Sequence, residues 1–230
     1  MAMPNPLTML PNSLDQAVDI GLMEHPTVVA AFYSEQASQA SVRSAEGGLK
    51  PTVNANLSTT RRPDDWPDFN PATLTTTAGI TVSVPLYQQG TEYASIRSSR
   101  ESLAQSRLNL EDARRTIRSQ VNQSWQQLAT ARAQILARGD QVRASEVALR
   151  GFRQEYDVGA RTLLEVLNAE QDLLNARVQL VTSRRDEVVA SYALLAAMGR
   201  LTAPTLELPV PIYDPTANYD RNAGRWFGTK

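Results

Sequence analysis

The sequence predicts a mainly α fold carrying one two-stranded β-hairpin, with a long antiparallel helical hairpin as its largest element. Three observations lead there. Apolar residues recur every seven positions over much of residues 91–200, the sign of long helices packed side by side. That run breaks at Tyr156-Asp-Val-Gly-Ala-Arg-Thr162, where Gly159 suits a chain reversal. Between residues 52 and 84 the period drops to two, as in strands with one apolar face.

Composition narrows the function classes. The chain has 230 residues, a net charge of −1, 42% apolar and 6% aromatic residues, and no cysteine. Near-neutral charge gives no electrostatic pull toward nucleic acid or acidic lipid. The lack of cysteine excludes disulfides, thiol chemistry and cysteine-held metal. No apolar run reaches the roughly 18 residues that a transmembrane helix needs. The opening Met-Ala-Met-Pro-Asn-Pro has neither a basic nor an apolar signal region, so either a cytosolic protein or a piece of a longer exported one is expected.

Residues 1–12 read as loose coil. Ser13 and Gln16 form a capping box opening a short helix that ends near His25. Pro26 suits the first turn of a second helix, expected to reach Ala45 and to stop at Gly47-Gly48. From Thr52 the apolar set Val53, Ala55 and Leu57 alternates with Thr52, Asn54, Asn56 and Ser58. A turn-rich loop from Arg61 to Pro71 follows, in which Asp64-Asp65 reads as a solvated turn. Alternation resumes with Leu74, Ala78, Ile80, Val82 and Val84 opposite Thr75, Thr77, Thr81 and Ser83, leaving Thr76 as a polar exception on the apolar face. Strands of about ten residues fit either a tilted outer-membrane strand or a half-buried soluble hairpin.

Gly90 ends the strand region and a helix starts near Thr91. Leu103, Leu110 and Ile117 are followed by Val121, Leu128, Ile135, Val142, Leu149 and Tyr156, a row offset by four residues. Beyond the break, Leu167, Leu174, Val181, Val188 and Leu195 repeat at seven and mark the packing row of the return helix. Gly139 and Gly151 lie inside the first helix, where each weakens it by about 1 kcal/mol relative to Ala unless a bend or close packing needs it. A helix over 91–157 spans about 100 Å and its return over 162–198 only about 55 Å. The helix at 26–46 supplies most of the shortfall if it stacks end to end on the return helix. After Gly199 a Pro- and Tyr-rich tail is expected to be coil with at most a short helix.

Taken together, Ser13-Leu-Asp-Gln-Ala-Val18, His25-Pro-Thr27, Ile80-Thr-Val-Ser-Val-Pro-Leu-Tyr-Gln-Gln-Gly90, Tyr156-Asp-Val-Gly-Ala-Arg-Thr162 and Glu165-Val-Leu-Asn-Ala-Glu-Gln171 resemble the second structural repeat of the TolC family of outer-membrane efflux and secretion channels. The resemblance implies that the helical hairpin forms part of an α-barrel and that the strands contribute to a transmembrane β-barrel. It divides the chain into stacked equatorial helices (1–48), an outer-membrane β-hairpin (49–90), a periplasmic coiled-coil hairpin (91–200, tip 156–162) and a C-terminal periplasmic tail (201–230). It also implies two such repeats per protomer and three protomers per channel. A single repeat then needs a hexamer, or a partner half, to close the ring.

Enzyme readings fare badly. His25, the single histidine, precedes Pro26 at a helix junction, and no phosphate loop, nucleophile motif or paired carboxylates stand out. Neither a cofactor nor a metal is expected. The resemblance places function at the tip. Tyr156 and Arg161 fall where the family holds its periplasmic entrance shut, and the carboxylate partner of Arg161 is expected in the missing first repeat. Val158, Gly159, Ala160, Thr162 and Leu163 match the small and apolar surface where adaptor hairpins dock. Glu165 and Asn168 match an acidic pore ring, one acid kept and one neutral. The implied role is a passive gated duct in the bacterial outer membrane with a periplasmic extension. It would touch outer-membrane lipid and couple through a periplasmic adaptor to an inner-membrane RND or ABC transporter, for efflux or type I secretion. A periplasmic adaptor, a structural or cytosolic coiled-coil protein, and a non-functional half-channel fragment remain as alternatives.

Overall fold

The computed structural model describes residues 9–62, 73–214 and 216–224. In chain order the elements are α1 (Leu14–Glu24), α2 (Pro26–Gly47), β1 (Thr52–Arg62), β2 (Thr73–Ser83), α3 (Thr91–Asp157), α4 (Leu163–Ala197) and α5 (Ala217–Asn222). The acidic pair Asp64-Asp65 and the end of the tail lie outside the described residues. Two compact units divide the chain, residues 30–111 and residues 1–29 with 112–230. No helix among the described residues is long and apolar enough to cross a membrane.

In the smaller unit β1 and β2 pair antiparallel from Thr52↔Ser83 to Arg62↔Thr73. Arg61 and Arg62, expected in the loop, extend β1 because Leu74 and Thr73 offer them ladder partners. Side-chain alternation then puts Val53, Ala55 and Leu57 opposite Val82, Ile80 and Ala78 on one face. Thr76, the polar exception, faces Thr59, and their hydroxyls lie 3.3 Å apart. This apolar face is bare: Leu57 and Ile80 are each 76% exposed. Alongside, α2 runs antiparallel to the start of α3, joined by Ser38 to Ser106 (2.8 Å) and by Arg107–Glu35 and Arg100–Glu46 ion pairs. Helix α2 ends in tight turns, with the amides of Gly48 and Leu49 donating to the carbonyls of Ala45 and Glu46. It does not end by a left-handed glycine, since neither Gly47 nor Gly48 has positive φ.

The larger unit is built on α3 and α4. Along α3 the buried Leu110, Ile117, Val121, Leu128, Ala131 and Leu149, with the partly covered residues between them, form a row of alternating three- and four-residue steps. Two fours in a row occur once, at Ile117–Val121, so the offset legible in the sequence is a stutter in the heptad. Gly21 of α1 lies over this spot, and a Cβ there would stand 3.1 Å from Val121 and 3.2 Å from Ile117. Tyr156, the last member of the expected row, is half-exposed.

The expected packing row of α4 is corrected by one position. Leu167, Leu174, Val181 and Val188 are exposed, while the last member, Leu195, is fully buried. The row facing α3 is Val166, Ala169, Leu173, Ala176, Ser183, Ala190 and Leu194, all buried. The helix carries apolar residues on two adjacent rows, and the inner one holds the small side chains that allow close approach. Ion pairs Arg132–Glu187, Arg177–Glu146 and Arg153–Glu170 flank it. Gly139 and Gly151 have no atom within 4 Å of an added Cβ, so packing within the chain does not require either.

At the far end of α4 the chain closes on itself. The amides of Gly199 and Arg200 donate to the carbonyls of Ala196 and Leu195, a Schellman ending with Gly199 at φ +77°. Gly199 abuts the start of α2, where a Cβ would meet His25 Cα at 2.8 Å. His25 ends α1 and also caps α2, its Nδ1 accepting the Thr27 amide at 3.2 Å. Arg200 clasps Glu24 through two bonds of 2.7 and 2.6 Å. At the start of α1 the capping box is only half formed: Ser13 Oγ accepts the Gln16 amide, but the Gln16 side chain takes the amide of Asn12. The tail behaves as expected, with the six-residue α5 as its one helix among the described residues.

Gly199 and Gly159 (φ +73°) share one backbone strain on substitution but not one environment, since nothing lies within 4 Å of a Cβ at Gly159. Left-handed backbone costs a non-glycine residue about 1–2 kcal/mol. Gly159→Ala should carry that cost alone, and Gly199→Ala a larger one from the clash with His25. Unfolding midpoints followed by circular dichroism test the order, and equal shifts would mean that the joint tolerates opening.

Candidate functional site

The tip is a turn that satisfies its own helix ends. Helix α3 runs out of partners at Asp157, and the amides of Gly159 and Ala160 return to the carbonyls of Tyr156 (2.9 Å) and Glu155 (2.8 Å). This second Schellman motif needs the positive φ of Gly159. Three residues on, α4 opens with a full capping box: Thr162 Oγ1 accepts the Glu165 amide (3.4 Å) and Glu165 Oε2 accepts the Thr162 amide (2.9 Å). The Thr162-x-x-Glu165 spacing is its sequence signature, and sequence reading passed over it.

Arg161 sits between the two helix ends. Its Nε donates to Glu155 Oε2 at 2.6 Å and its Nη1 to Glu165 Oε1 at 2.8 Å. Its guanidinium lies 4.4 Å from the centroid of the Phe152 ring, a cation–π distance. Beneath, Phe152 and Val142 pack on a buried cluster of Leu149, Val166, Ala169 and Leu173. Within the chain, Arg161 thus pairs with two carboxylates of its own hairpin. Glu155 and Phe152 escape a reading of periodicity because they lie six and nine residues from Arg161 on the other side of a turn.

The electrostatics follow. The Glu155 carboxylate, then that of Glu165, raise the pKa of Arg161. The Thr162 amide first, then its hydroxyl and the Arg161 guanidinium, hold Glu165 below its ordinary 4.5. Of the residues singled out in the sequence, Tyr156 forms the last turn of α3, half-exposed, with its carbonyl engaged by Gly159. Val158, Gly159, Ala160, Thr162 and Leu163 form the exposed outer surface of the turn. Glu165 is occupied by Thr162 and Arg161, and Asn168 lies exposed one turn further along α4.

A helical hairpin with such a tip, joined to a two-stranded hairpin, is the fold of about half of a solved outer-membrane channel. The Campylobacter jejuni CmeC outer membrane channel aligns with a TM-score of 0.72 at 18% identity, covering 90% of this chain and 46% of that one. The sequence profile of the family described as "Outer membrane efflux protein" matches residues 18–200, and the chain belongs to that family, the TolC-type channels. It is 38% identical to the outer membrane efflux protein BepC of Brucella suis biovar 1 (strain 1330) over 225 residues, 96% of this chain and 48% of the relative. It is 26% identical to the alkaline protease secretion protein AprF of Pseudomonas aeruginosa over 191 residues, 83% of this chain and 40% of the relative. The chain thus spans less than half the length of either.

The folded pKa of Glu165 is depressed, so its contribution is present above pH 4.5 and fades as pH falls through the lower folded value. Glu165→Gln keeps the side-chain acceptor for the Thr162 amide but not the charge, whereas Glu165→Ala loses both. Amide exchange at the start of α4 should accelerate slightly in the first variant and strongly in the second. Equal acceleration would mean that the ion pair, not the cap, closes the turn.

Proposed function

We propose that this chain is one repeat of an outer-membrane channel for efflux or type I secretion, a passive gated duct rather than an enzyme. The observation that carries the reading is the apolar face of the β-hairpin, exposed from Val53 to Leu57 and from Ala78 to Val82. Strands of 11 residues tilted at about 45° rise through about 25 Å, the height of the apolar band of an outer-membrane barrel. Two strands leave unpaired edges that lipid does not tolerate, so a ring must close. The exposed row Leu167, Leu174, Val181 and Val188 supports the same reading in the helical part, as a second packing surface for a neighbouring helix. The assembly is then a hexamer of this repeat or a ring completed by another half, in the outer membrane with the helices in the periplasm. An adaptor would couple it to an inner-membrane RND or ABC transporter.

Within that reading the tip is the entrance. Val158, Gly159, Ala160, Thr162 and Leu163 offer an exposed docking surface to an adaptor, and Tyr156 and Arg161 act in the gate. Because Arg161 already holds Glu155 and Glu165, opening and closing would exchange these partners for those of a neighbouring hairpin, a shift between two populated states that an adaptor biases. Glu165 and Asn168 would face the pore as a weakened acidic ring.

Two measurements test the proposal. Exported behind a signal peptide and extracted in detergent from the outer-membrane fraction, the chain should run as an assembly of six copies or as a complex with a second chain. A water-soluble monomer, even with the other half of the channel co-expressed, would overturn the channel reading. In the complete channel, Arg161→Ala should raise single-channel conductance in the absence of adaptor, and unchanged conductance would remove Arg161 from the gate.

A further inference from the structure

We propose that the segment joining β2 to α3, together with the residues leading into β1, seats phospholipid of the periplasmic leaflet and fixes the depth of the hairpin in the membrane. The inference rests on the channel reading above. Thr52 pairs with Ser83, so residues 49–51 and 84–93 leave the sheet at one end. Pro51 directly precedes β1 and Pro85 follows two residues after β2. Neither brings an N–H that would go unpaired at the edge of a hydrocarbon layer. The ladder is therefore closed off on both strands at one level.

Apolar surface continues past that level. Val84 is exposed, and Leu86 and Tyr87 are 92% and 85% exposed, the highest values among the large apolar side chains described. Gln89 (φ 53°) and Gly90 (φ 79°) then turn the chain sharply into α3, with the Thr91 amide donating to the Gln88 carbonyl at 3.0 Å. This turn brings Tyr93 of α3 and Leu49 around a cavity of about 200 Å³ that Pro85, Leu86 and Tyr87 also line.

Lipid is the occupant that fits. The patch is continuous with the strand face that meets the bilayer, and it begins where an 11-residue strand has used up the hydrocarbon thickness. Two tyrosines there present an apolar ring with a polar tip, the chemistry of the headgroup boundary. Lys50, exposed beside Leu49, can lay its stem on this surface with the ammonium toward water. Glu92 and Gln88 on the cavity rim suit a zwitterionic headgroup better than an anionic one.

The chain has no cysteine, so Leu86→Cys, Tyr87→Cys, Leu57→Cys, Ile80→Cys and Val147→Cys each carry one nitroxide label. The assembly is reconstituted in vesicles of phosphatidylethanolamine and phosphatidylcholine. Paramagnetic relaxation by oxygen and by a water-soluble nickel chelate then reports depth. Labels at 86 and 87 should be several-fold less accessible to nickel than the label at 147, and shallower than those at 57 and 80. Nickel accessibility at 86 and 87 equal to that at 147, with 57 and 80 in lipid, would overturn the lipid seat and leave the channel reading standing. Shielding of 86 and 87 from both reagents would place a second copy of the chain there and also overturn it. Aqueous values at 57 and 80 would overturn the channel reading itself.

Discussion

The side-by-side packing of α3 on α4 is the constraint on which the larger unit depends. Two helices of 67 and 35 residues stay together only if every turn of one presents a small or apolar side chain to the other. On α4 that duty falls to Ala169, Ala176, Ser183 and Ala190 as much as to Val166, Leu173 and Leu194. Small residues bring the axes close, and a close pair of helices has room for one row each at its interface. The neighbouring row, from Leu167 to Val188, is thereby turned away from α3. Each of its side chains would contribute about 1.5–3 kcal/mol on burial, so the packing that holds the hairpin together also creates the demand for a further partner.

The β-hairpin has the same character in a different solvent. Its ladder is complete from Thr52 to Arg62, yet each strand keeps an outer edge of unpaired backbone groups and the sheet has no core of its own. A two-stranded sheet is marginal in water. The fold is internally satisfied at the tip and at the Gly199 joint, and unsatisfied along the two surfaces that face outward from the sheet and from α4. Under the proposed channel reading, ring closure would pair the strand edges and cover the row on α4, while the apolar sheet face would meet lipid.

Much of this was legible in the sequence, and the failures have physical reasons. The helix limits, the reversal at Gly159, the alternating faces of both strands with Thr76 as the polar exception, and the four-residue offset at Ile117–Val121 follow from periodicity and glycine alone. The packing row of α4 was read one residue off because large apolar side chains dominate any hydrophobic count, while the true interface is lined with Ala and Ser. The partners of Arg161 escaped because Glu155 and Phe152 meet it across a turn. The capping box at Thr162 was legible and was overlooked, whereas the one expected at Ser13 lost its second bond to the Asn12 amide. Gly139 and Gly151 have no account within the chain.

The joint at the far end from the tip links parts of the chain that are far apart in sequence. Contacts across the tip link residues about ten to thirty apart in sequence, such as Arg153 with Glu170, and such local contacts form quickly. Glu24 and Arg200 are 176 residues apart, so their clasp closes a long loop and is expected to form after the contacts at the tip. The clasp is thus the contact expected to form last, and it ties the end of α1 to the residues just past α4.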